Sequence, residues 1–291
     1  MAAVPPSTHV PPVLRLVRIG NVLVSFVGTV VGGLAADGRG LAVGLGVLLA
    51  LLLAALSTAC VTGGGNVLND LIDRESDKVN HPSRPLVTGE VSVRGARWTG
   101  AALFVVAVLA VAPQIPTRPF LGVILFAALL ALFAYELRFK AIGFAGNLLV
   151  AFLTGAVFLY GGASVGDVSI VGPFALMAFF ATLSREVIKD MEDAEGDVDR
   201  RTLPRTRGFS VATGTARVSA IVGIGLSPLP LLYLLGPGST VGIIYLGSVL
   251  AADALFVVSI RWLPRELNRE QTLSKVAMTV ALLAFLVAAF R

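Results

Sequence analysis

Two acidic clusters in this chain each follow a long apolar run. The first reads NDLIDRESD (69–77) and the second reads KDMEDAEGD (189–197). Both contain the pattern D-x-x-D-x-x-x-D. A basic segment with a Pro-Leu or Leu-Pro pair comes next, HPSRPLVTG after the first cluster and RRTLPRTRG after the second. One charged helix end is readily explained by solvation at a membrane surface, but two copies in the same register indicate the two halves of one site.

Helical spacing sorts the acids within each cluster. Residues at i, i+4 and i+8 share a face. These are Asn69, Asp73 and Asp77 in the first copy and Lys189, Asp193 and Asp197 in the second. Asp70 and Asp190 lie about 100° round the helix, where we expect them to orient the first set. Like charges at i, i+4 repel each other, and a divalent cation removes the conflict. Oxygen-only ligands favour a hard ion, Mg²⁺ or Ca²⁺.

Basic residues surround the two clusters. They are Lys78, Arg84, Arg138, Lys140, Arg185, Lys189, Arg200, Arg201, Arg205 and Arg207. For any single one, the excess of positive charge on the cytoplasmic side of membrane proteins is a sufficient explanation. Together with metal ions held by the acids, they predict a diphosphate site, because metals bridge phosphate oxygens and Lys or Arg neutralises the remaining charge.

The composition is that of a polytopic membrane protein. Of 291 residues, 56% are hydrophobic and 14% charged, against about 25% charged in a typical soluble domain. Continuous apolar runs argue against a β-barrel and predict an all-α bundle in one domain, 1–291. We predict nine transmembrane helices, at 12–36, 41–69, 97–114, 118–136, 142–163, 169–190, 209–235, 240–262 and 271–290, with Pro228 and Pro230 kinking the seventh.

The distribution of Lys and Arg predicts the orientation. Only Arg39, Arg118 and Arg291 fall on one side, and all the others fall on the opposite side. The positive-inside rule then places the N-terminus in the cytoplasm and the C-terminus outside. Both acidic clusters are cytoplasmic, with loops 70–96 and 191–208 expected to cap the site. Asp253 lies within the eighth span, where an acid is a functional candidate by default. We favour a buried hydrogen bond to a neighbouring helix.

The segment NDLIDRESDKVNHPSRPLVTG resembles the first Asp-rich motif of the UbiA superfamily of intramembrane prenyltransferases, and KDMEDAEGDVDRRTLP resembles the second. YELRFKAIGFAGNLLVAFLTGAVFLYGG (135–162) is similar to the family's fourth-to-fifth span segment. The resemblance covers most of the chain. The sequence departs from the family pattern at Val87 and Thr88, and in a shortened loop at 198–201.

The resemblance implies a Mg²⁺-dependent transfer of an isoprenoid group, with two Mg²⁺ ions expected. The implied metal ligands are Asn69, Asp73, Asp77, Asp193 and Asp197. The implied diphosphate contacts are Arg84, Lys140 and Lys189, to which we add Arg138. REVIKDMEDAEGD is most similar to archaeal members that act in membrane lipid synthesis. Geranylgeranyl diphosphate and geranylgeranylglyceryl phosphate are therefore the expected donor and acceptor.

Ionisation of a prenyl diphosphate leaves an allylic cation, which needs a dry cavity and aromatic faces. Tyr135, Tyr160, Phe152 and Phe158 are candidates, although packing against lipid or core is the alternative for the two phenylalanines. Arg18 and Asn21 are expected to line the acceptor pocket, together with Asn66 and Asn147. Asp70 and Asp190 are the candidate proton acceptors, and with Tyr135 they complete the expected catalytic residues.

Two other functions compete with this one. Prenylation of an aromatic acceptor, such as 4-hydroxybenzoate, would use the same diphosphate site. A secondary transporter would also combine repeated halves with intramembrane acids, but its charges would lie near the membrane midplane. We expect substrates and membrane lipids as the binding partners, with no nucleic acid and no obligate protein partner.

Overall fold

The computed structural model of the chain describes residues 10–195 and 201–291. Within these ranges the chain is helical and contains no β-strand. The helices in chain order are α1 (Pro12–Leu16), α2 (Ile19–Asp37), α3 (Leu45–Ile72), α4 (Arg74–Asn80), α5 (Pro85–Thr88), α6 (Val93–Val111), α7 (Pro119–Leu137), α8 (Phe144–Val165), α9 (Gly172–Glu192), α10 (Leu203–Arg207), α11 (Phe209–Leu226), α12 (Thr240–Arg261) and α13 (Leu267–Val287).

Nine of these helices are long, and eight of the nine are long and apolar enough to cross a membrane in the described ranges. The remaining long helix is α9, whose last two turns carry Arg185, Glu186, Lys189 and Asp190. The predicted all-α membrane bundle is confirmed. Side chains on the outside are large and apolar, as expected where lipid rather than water is the solvent.

The first predicted span, 12–36, is broken rather than continuous. Arg18 has φ +53° and ψ +67°, and this left-handed residue separates α1 from α2. Left-handed backbone is uncommon for a residue with a side chain. The break turns the Arg18 side chain towards α3, where it donates hydrogen bonds to Asn69 and Asp70.

The seventh predicted span, 209–235, is helical on both sides of an interruption at residues 227–228. Helix α11 ends at Leu226, and a short π-helical segment follows at Leu231–Leu235. Pro228 and Pro230 lack the backbone N–H that a continuous helix requires, and the helix is interrupted where the kink is predicted, before helical backbone resumes at 229–235. Asp253 accepts a hydrogen bond from Ser227 Oγ (2.7 Å) just beyond α11. The predicted hydrogen bond is present but only partly buried, and Asp253 also lines the larger of the two cavities described below.

Helix α8 runs through the middle of the bundle. It packs on α2, α7 and α9. Half of the residues in its most apolar stretch are buried, the highest share among the eight candidate membrane spans. Two rings on neighbouring helices continue its core. Phe285 lies 5.4 Å from Phe158 and 4.7 Å from Phe174, measured between ring centroids. Phe158 is therefore packed in the core, although it also lines the larger of the two cavities described below, whereas Phe152 is exposed on the outer surface.

The crossing of α2 and α8 depends on a glycine. A Cβ at Gly161 would lie 2.2 Å from the Thr29 carbonyl oxygen and 2.6 Å from the Gly33 nitrogen. Both contacts are with backbone atoms, which cannot rotate away. The two helices can approach this closely only where a residue has no side chain.

We expect Gly161→Ala to lower the free energy of unfolding by about 1–3 kcal/mol, the usual cost of overpacking a core. The matched control is Gly214→Ala in α11, where an added Cβ meets nothing within 4 Å and helix propensity slightly favours alanine. The measurement is the thermal unfolding midpoint in detergent. Equal midpoints for the two variants would contradict the proposed close packing.

Candidate active site

A polar cavity of about 530 Å³ lies where the two acidic clusters meet. Asn69, Asp73 and Asp77 line it from the end of α3 and from α4, and Lys189 and Asp193 line it from the end of α9. The structure therefore brings the described parts of the two clusters to one cavity. Asp197, a predicted metal ligand, lies outside the described residues.

The first cluster keeps its common face although the helix is interrupted. Helix α3 ends at Ile72, and α4 begins at Arg74. Backbone hydrogen bonds nevertheless continue from the Asp73 N–H to the Asn69 carbonyl (2.9 Å) and from the Asp77 N–H to the Asp73 carbonyl (2.8 Å). The three side chains therefore stay about one helical turn apart and all reach the cavity.

Each acid of the first cluster that lines the cavity is paired with a cation. Arg84 donates to Asp77, and Lys140 donates to Asp73. Both cations also line the cavity. They come from different parts of the chain, Arg84 from the loop before α5 and Lys140 from the turn after α7. The ion pairs tie these two connections to the helix ends that carry the acids.

Arg138, two residues before Lys140, is not brought to the site. Its side chain is exposed and lines neither of the cavities described here. Helix α7 ends at Leu137, and a 3₁₀ turn at Phe139–Ala141 follows. That change of direction sends Lys140 inward and leaves Arg138 outside. Of these two cations, only Lys140 lines the polar cavity.

Asp70 and Asp190 lie beside the cavities and do not line them. Asp70 is 2% exposed and accepts hydrogen bonds from Arg18 (2.7 Å) and Arg84 (3.1 Å). Asp190 accepts a hydrogen bond from Asn147 Nδ2 (2.8 Å) on α8, and this pair also lies away from the cavity lining. These placements fit acids that hold neighbouring helices and cations in position, as helical spacing suggests. They do not fit proton acceptors in contact with substrate.

Sequence reasoning missed Glu136, which joins several of these groups. Its side chain is buried near the end of α7, and its two carboxylate oxygens accept from Asn69 Nδ2 at 3.1 and 3.0 Å. Lys140 Nζ lies 3.4 Å from the same carboxylate. With the amide N–H₂ directed at Glu136, Asn69 Oδ1 accepts from Arg18 (2.9 Å). The sequence did contain a signal for Glu136, because it is an acid in the last turn of an apolar helix and lies four residues before Lys140.

The donor set fits a hard divalent cation. Asn69, Asp73, Asp77 and Asp193 offer oxygen atoms only, the ligand type that Mg²⁺ prefers. Asp73 and Asp77 already attract positive charge, since each binds a side-chain cation. In residues 10–195 and 201–291, no three His, Cys, Asp or Glu side chains are gathered closely enough to form a metal site by themselves. Asp73, Asp77 and Asp193 therefore share a cavity without forming a close group of three carboxylates, and Asn69 adds an amide oxygen to the same lining.

One acid of the cluster serves no such purpose. Glu75 is fully exposed on α4, and a hydrogen bond from Lys78 Nζ (2.6 Å) lowers the pKa of its carboxyl. Glu75 does not line the polar cavity. The first acidic cluster therefore includes one ion pair at the protein surface, between Glu75 and Lys78. Glu75 provides a matched control for the acids inside the cavity.

A second, larger cavity of about 830 Å³ continues from the polar one into the bundle. It is lined mainly by aliphatic and aromatic side chains. The two cavities share Arg18, Asn69, Tyr135 and Lys189. Tyr135 therefore lies at the boundary between the polar and the apolar space.

Three other predicted pocket residues, Asn21, Asn66 and Tyr160, line the larger cavity. Two of them already have partners within the fold. Asn66 Nδ2 donates to the Val17 carbonyl (2.8 Å), and the Tyr160 hydroxyl lies 3.0 Å from Ser57 Oγ. These two side chains therefore contribute to the wall of the cavity, with Asn66 Oδ1 still able to accept a hydrogen bond.

Comparison with known proteins agrees with this architecture. The sequence model of the UbiA prenyltransferase family matches residues 25–288 of this chain. A digeranylgeranylglyceryl phosphate synthase from Methanococcus aeolicus is 34% identical, over 94% of this chain and 96% of its own length. The synthase of the same name from Haloquadratum walsbyi is 37% identical over 96% of both chains.

Solved structures show the same fold. A digeranylgeranylglyceryl phosphate synthase structure superposes with a TM-score of 0.79 at 29% identity, covering 96% of this chain and 98% of the other. A UbiA homologue from Archaeoglobus fulgidus, bound to GPP and Mg²⁺, superposes with a TM-score of 0.65 at 20% identity, covering 94% and 99%. Because the family description spans nearly the whole chain and the synthases align over almost their full length, this chain belongs to the UbiA prenyltransferase family and is an integral membrane prenyltransferase.

Proposed function

We propose that this enzyme transfers a geranylgeranyl group from geranylgeranyl diphosphate to geranylgeranylglyceryl phosphate. The observation that carries the proposal is the direct junction of a polar, charged cavity with a large apolar one at Arg18, Asn69, Tyr135 and Lys189. A prenyl diphosphate has the same division into an anionic head and an apolar tail. Relatives named digeranylgeranylglyceryl phosphate synthase support this choice of donor and acceptor.

The head and tail of the donor have separate places in this arrangement. The diphosphate would lie in the polar cavity, against Arg84, Lys140 and Lys189. The prenyl chain would extend into the larger cavity, whose volume of about 830 Å³ lies within the usual range of about 300–1,000 Å³ for small-molecule pockets. The bond between them would then lie near Tyr135.

Asn69, Asp73, Asp77 and Asp193 would hold the metal, and the proposal includes Asp197 and a second ion. Bound Mg²⁺ supplies positive charge that stabilises the departing diphosphate. Lys140, Arg84 and Lys189 supply the same kind of charge from the protein, at the place where negative charge develops. The carbon–oxygen bond breaks, and the diphosphate leaves with the electron pair.

The remaining allylic cation would face the ring of Tyr135 at the junction of the cavities. Cation–π contact contributes about 0.5–2 kcal/mol, with the larger values in dry surroundings. The acceptor hydroxyl oxygen then forms the new carbon–oxygen bond, and its proton passes to the diphosphate anion that the first step releases. Asp70 and Asp190 lie off the cavity lining, so we assign them to positioning and not to proton removal.

The positive-inside rule supports an orientation with the polar cavity and the N-terminus at the cytoplasmic face and the C-terminus outside. In this orientation the charged groups of the two clusters collect at one membrane surface. A secondary transporter would instead place its binding charges near the midplane. The lipid-like acceptor could reach the larger cavity from the membrane, while the diphosphate leaves to the cytoplasm.

The identity of the acceptor can be tested by incubating the purified enzyme with radiolabelled geranylgeranyl diphosphate. One reaction contains geranylgeranylglyceryl phosphate as the acceptor, and the other contains 4-hydroxybenzoate. We expect prenylation of the glycerophosphate lipid at a kcat/KM at least tenfold higher. Faster prenylation of the aromatic acid would support the alternative acceptor. Uptake of prenyl diphosphate into liposomes without release of diphosphate would favour transport.

Replacing one cavity acid tests the metal site. We expect Asp73→Asn and Asp193→Asn each to lower the transfer rate about 100-fold or more, because the metal contributes several kcal/mol of charge stabilisation. Glu75→Gln is the control, since Glu75 is an exposed acid of the same cluster. EDTA should abolish the wild-type rate and Mg²⁺ should restore it. Wild-type turnover in either aspartate variant would refute the assignment.

Glu136 is predicted to act through Asn69 and Lys140. We expect Glu136→Gln to raise the Mg²⁺ concentration for half-maximal rate about tenfold or more, as removing a partner of a metal ligand typically does. The double variant Asn69→Asp with Glu136→Gln should partly recover, since the amide at 136 can then donate to the carboxylate at 69. An unchanged Mg²⁺ dependence in Glu136→Gln would show that Glu136 is only a packing residue.

A further inference from the structure

Three cations lie on one wall of the larger cavity, formed by α9 and α13. Arg185 and Lys189 are on α9, and Lys275 is on α13. The two helices pack on each other, and Gln271 of α13 donates a hydrogen bond to Glu192 near the membrane-surface end of α9. We call Arg185, Lys189 and Lys275 the α9–α13 cation wall. Two of its members, Arg185 and Lys275, line only the larger cavity.

The hydrogen bond between Gln271 and Glu192 is a reference point for the depth of this wall in the helix bundle. Lys275 follows Gln271 by one helical turn, and Lys189 and Arg185 precede Glu192 by about one and two turns. At 1.5 Å per residue, the wall lies about 5–10 Å deeper in the bundle than that contact. A cation at this depth is costly unless it faces a cavity or an anion.

Hydrogen-bonding capacity is left over on this wall. Arg185 Nη1 donates to Glu186 (3.0 Å), but Arg185 Nε is buried and has no acceptor among the described residues. A guanidinium carries five N–H donors, and at least one of those of Arg185 is buried without a partner. Lys275 lines the larger cavity but remains exposed, and it has no ion pair or side-chain hydrogen bond among the described contacts, although it lies within a helix long and apolar enough to span a membrane.

The acids nearby do not neutralise the wall. Glu186 is shared, at 3.0 Å from Arg185 and 3.8 Å from Lys189. Asp253 on α12 also lines the cavity and accepts from Ser227 Oγ (2.7 Å). Glu136 lines the cavity as well, but it is bound to Asn69 and Lys140. Of the three cations in the wall, Lys275 is the one without an anionic partner within salt-bridge distance in the described residues. The wall is suited to an added anion.

We propose that Arg185 and Lys275, the two members of the α9–α13 cation wall that line only the larger cavity, bind the phosphate monoester of the lipid acceptor, with Lys275 as a specificity-determining contact. The inference rests on the proposed function and deepens it by assigning the acceptor phosphate a subsite separate from the donor diphosphate. A charge-assisted hydrogen bond to phosphate favours an anionic acceptor over a neutral lipid alcohol. The enzyme would therefore select acceptors by their phosphate as well as by their apolar chain.

The test uses Lys275→Gln in neutral detergent with two acceptors, geranylgeranylglyceryl phosphate and the same lipid alcohol without phosphate. We expect the KM for the phosphate acceptor to rise about tenfold or more, the effect of losing one charged hydrogen bond. The KM for geranylgeranyl diphosphate and kcat/KM for the neutral acceptor should both stay within about twofold. An unchanged KM for the donor also shows that the variant is folded.

The matched control is Arg261→Gln, which removes one positive charge from the same α12–α13 hairpin at an exposed position that lines neither cavity. It should leave the KM for both acceptors unchanged. Equal losses in the two variants would indicate general membrane-surface charge and overturn the proposal. So would a rise in the KM for the donor alone, which would assign Lys275 to the diphosphate. Wild-type enzyme that prenylates neither acceptor would refute the proposed function itself.

Discussion

The site depends on a buried carboxylate, Asp70, which is held by two guanidinium groups. Arg18 reaches it from the break between α1 and α2, and Arg84 reaches it from the loop before α5. A buried charge must be paired, and removal of one partner of such a pair typically costs about 3–5 kcal/mol. Asp70 therefore fixes two separate segments of chain to the end of α3, and Arg18 and Arg84 from these segments line the polar cavity.

The same requirement explains the unusual backbone at Arg18. A left-handed residue with a side chain costs about 1–3 kcal/mol and persists where the surroundings over-determine it. Here Arg18 binds both Asn69 and Asp70, and Asn66 donates to the carbonyl of Val17 next to the break. All three partners belong to α3. The strained turn and the acidic helix end are thus parts of one structure, and neither would be expected without the other.

Much of the fold and part of the site could be predicted because both depend on local periodicity. Apolar runs of sufficient length predict the helices, and i, i+4 spacing predicts that Asn69, Asp73 and Asp77 share a face. The remainder depends on the direction of the chain at helix ends. The 3₁₀ turn after α7 sends Lys140 inward and Arg138 outward, and the break at Arg18 ends what reads as one continuous span. Apolar composition reveals neither event.

Electrostatic repulsion between the two substrates gives a reason for the proposed separation of the donor diphosphate from the acceptor phosphate. Two unit negative charges about 4 Å apart repel by about 4 kcal/mol at an effective dielectric constant of 20, so a donor diphosphate and an acceptor phosphate cannot share one set of cations at low cost. Arg84 and Lys140 lie in the polar cavity, whereas Arg185 and Lys275 line only the larger one. Lys189 lines both. The reacting carbon would then lie between two anions that are each neutralised locally, and the apolar volume of the bundle would remain available for the two lipid chains.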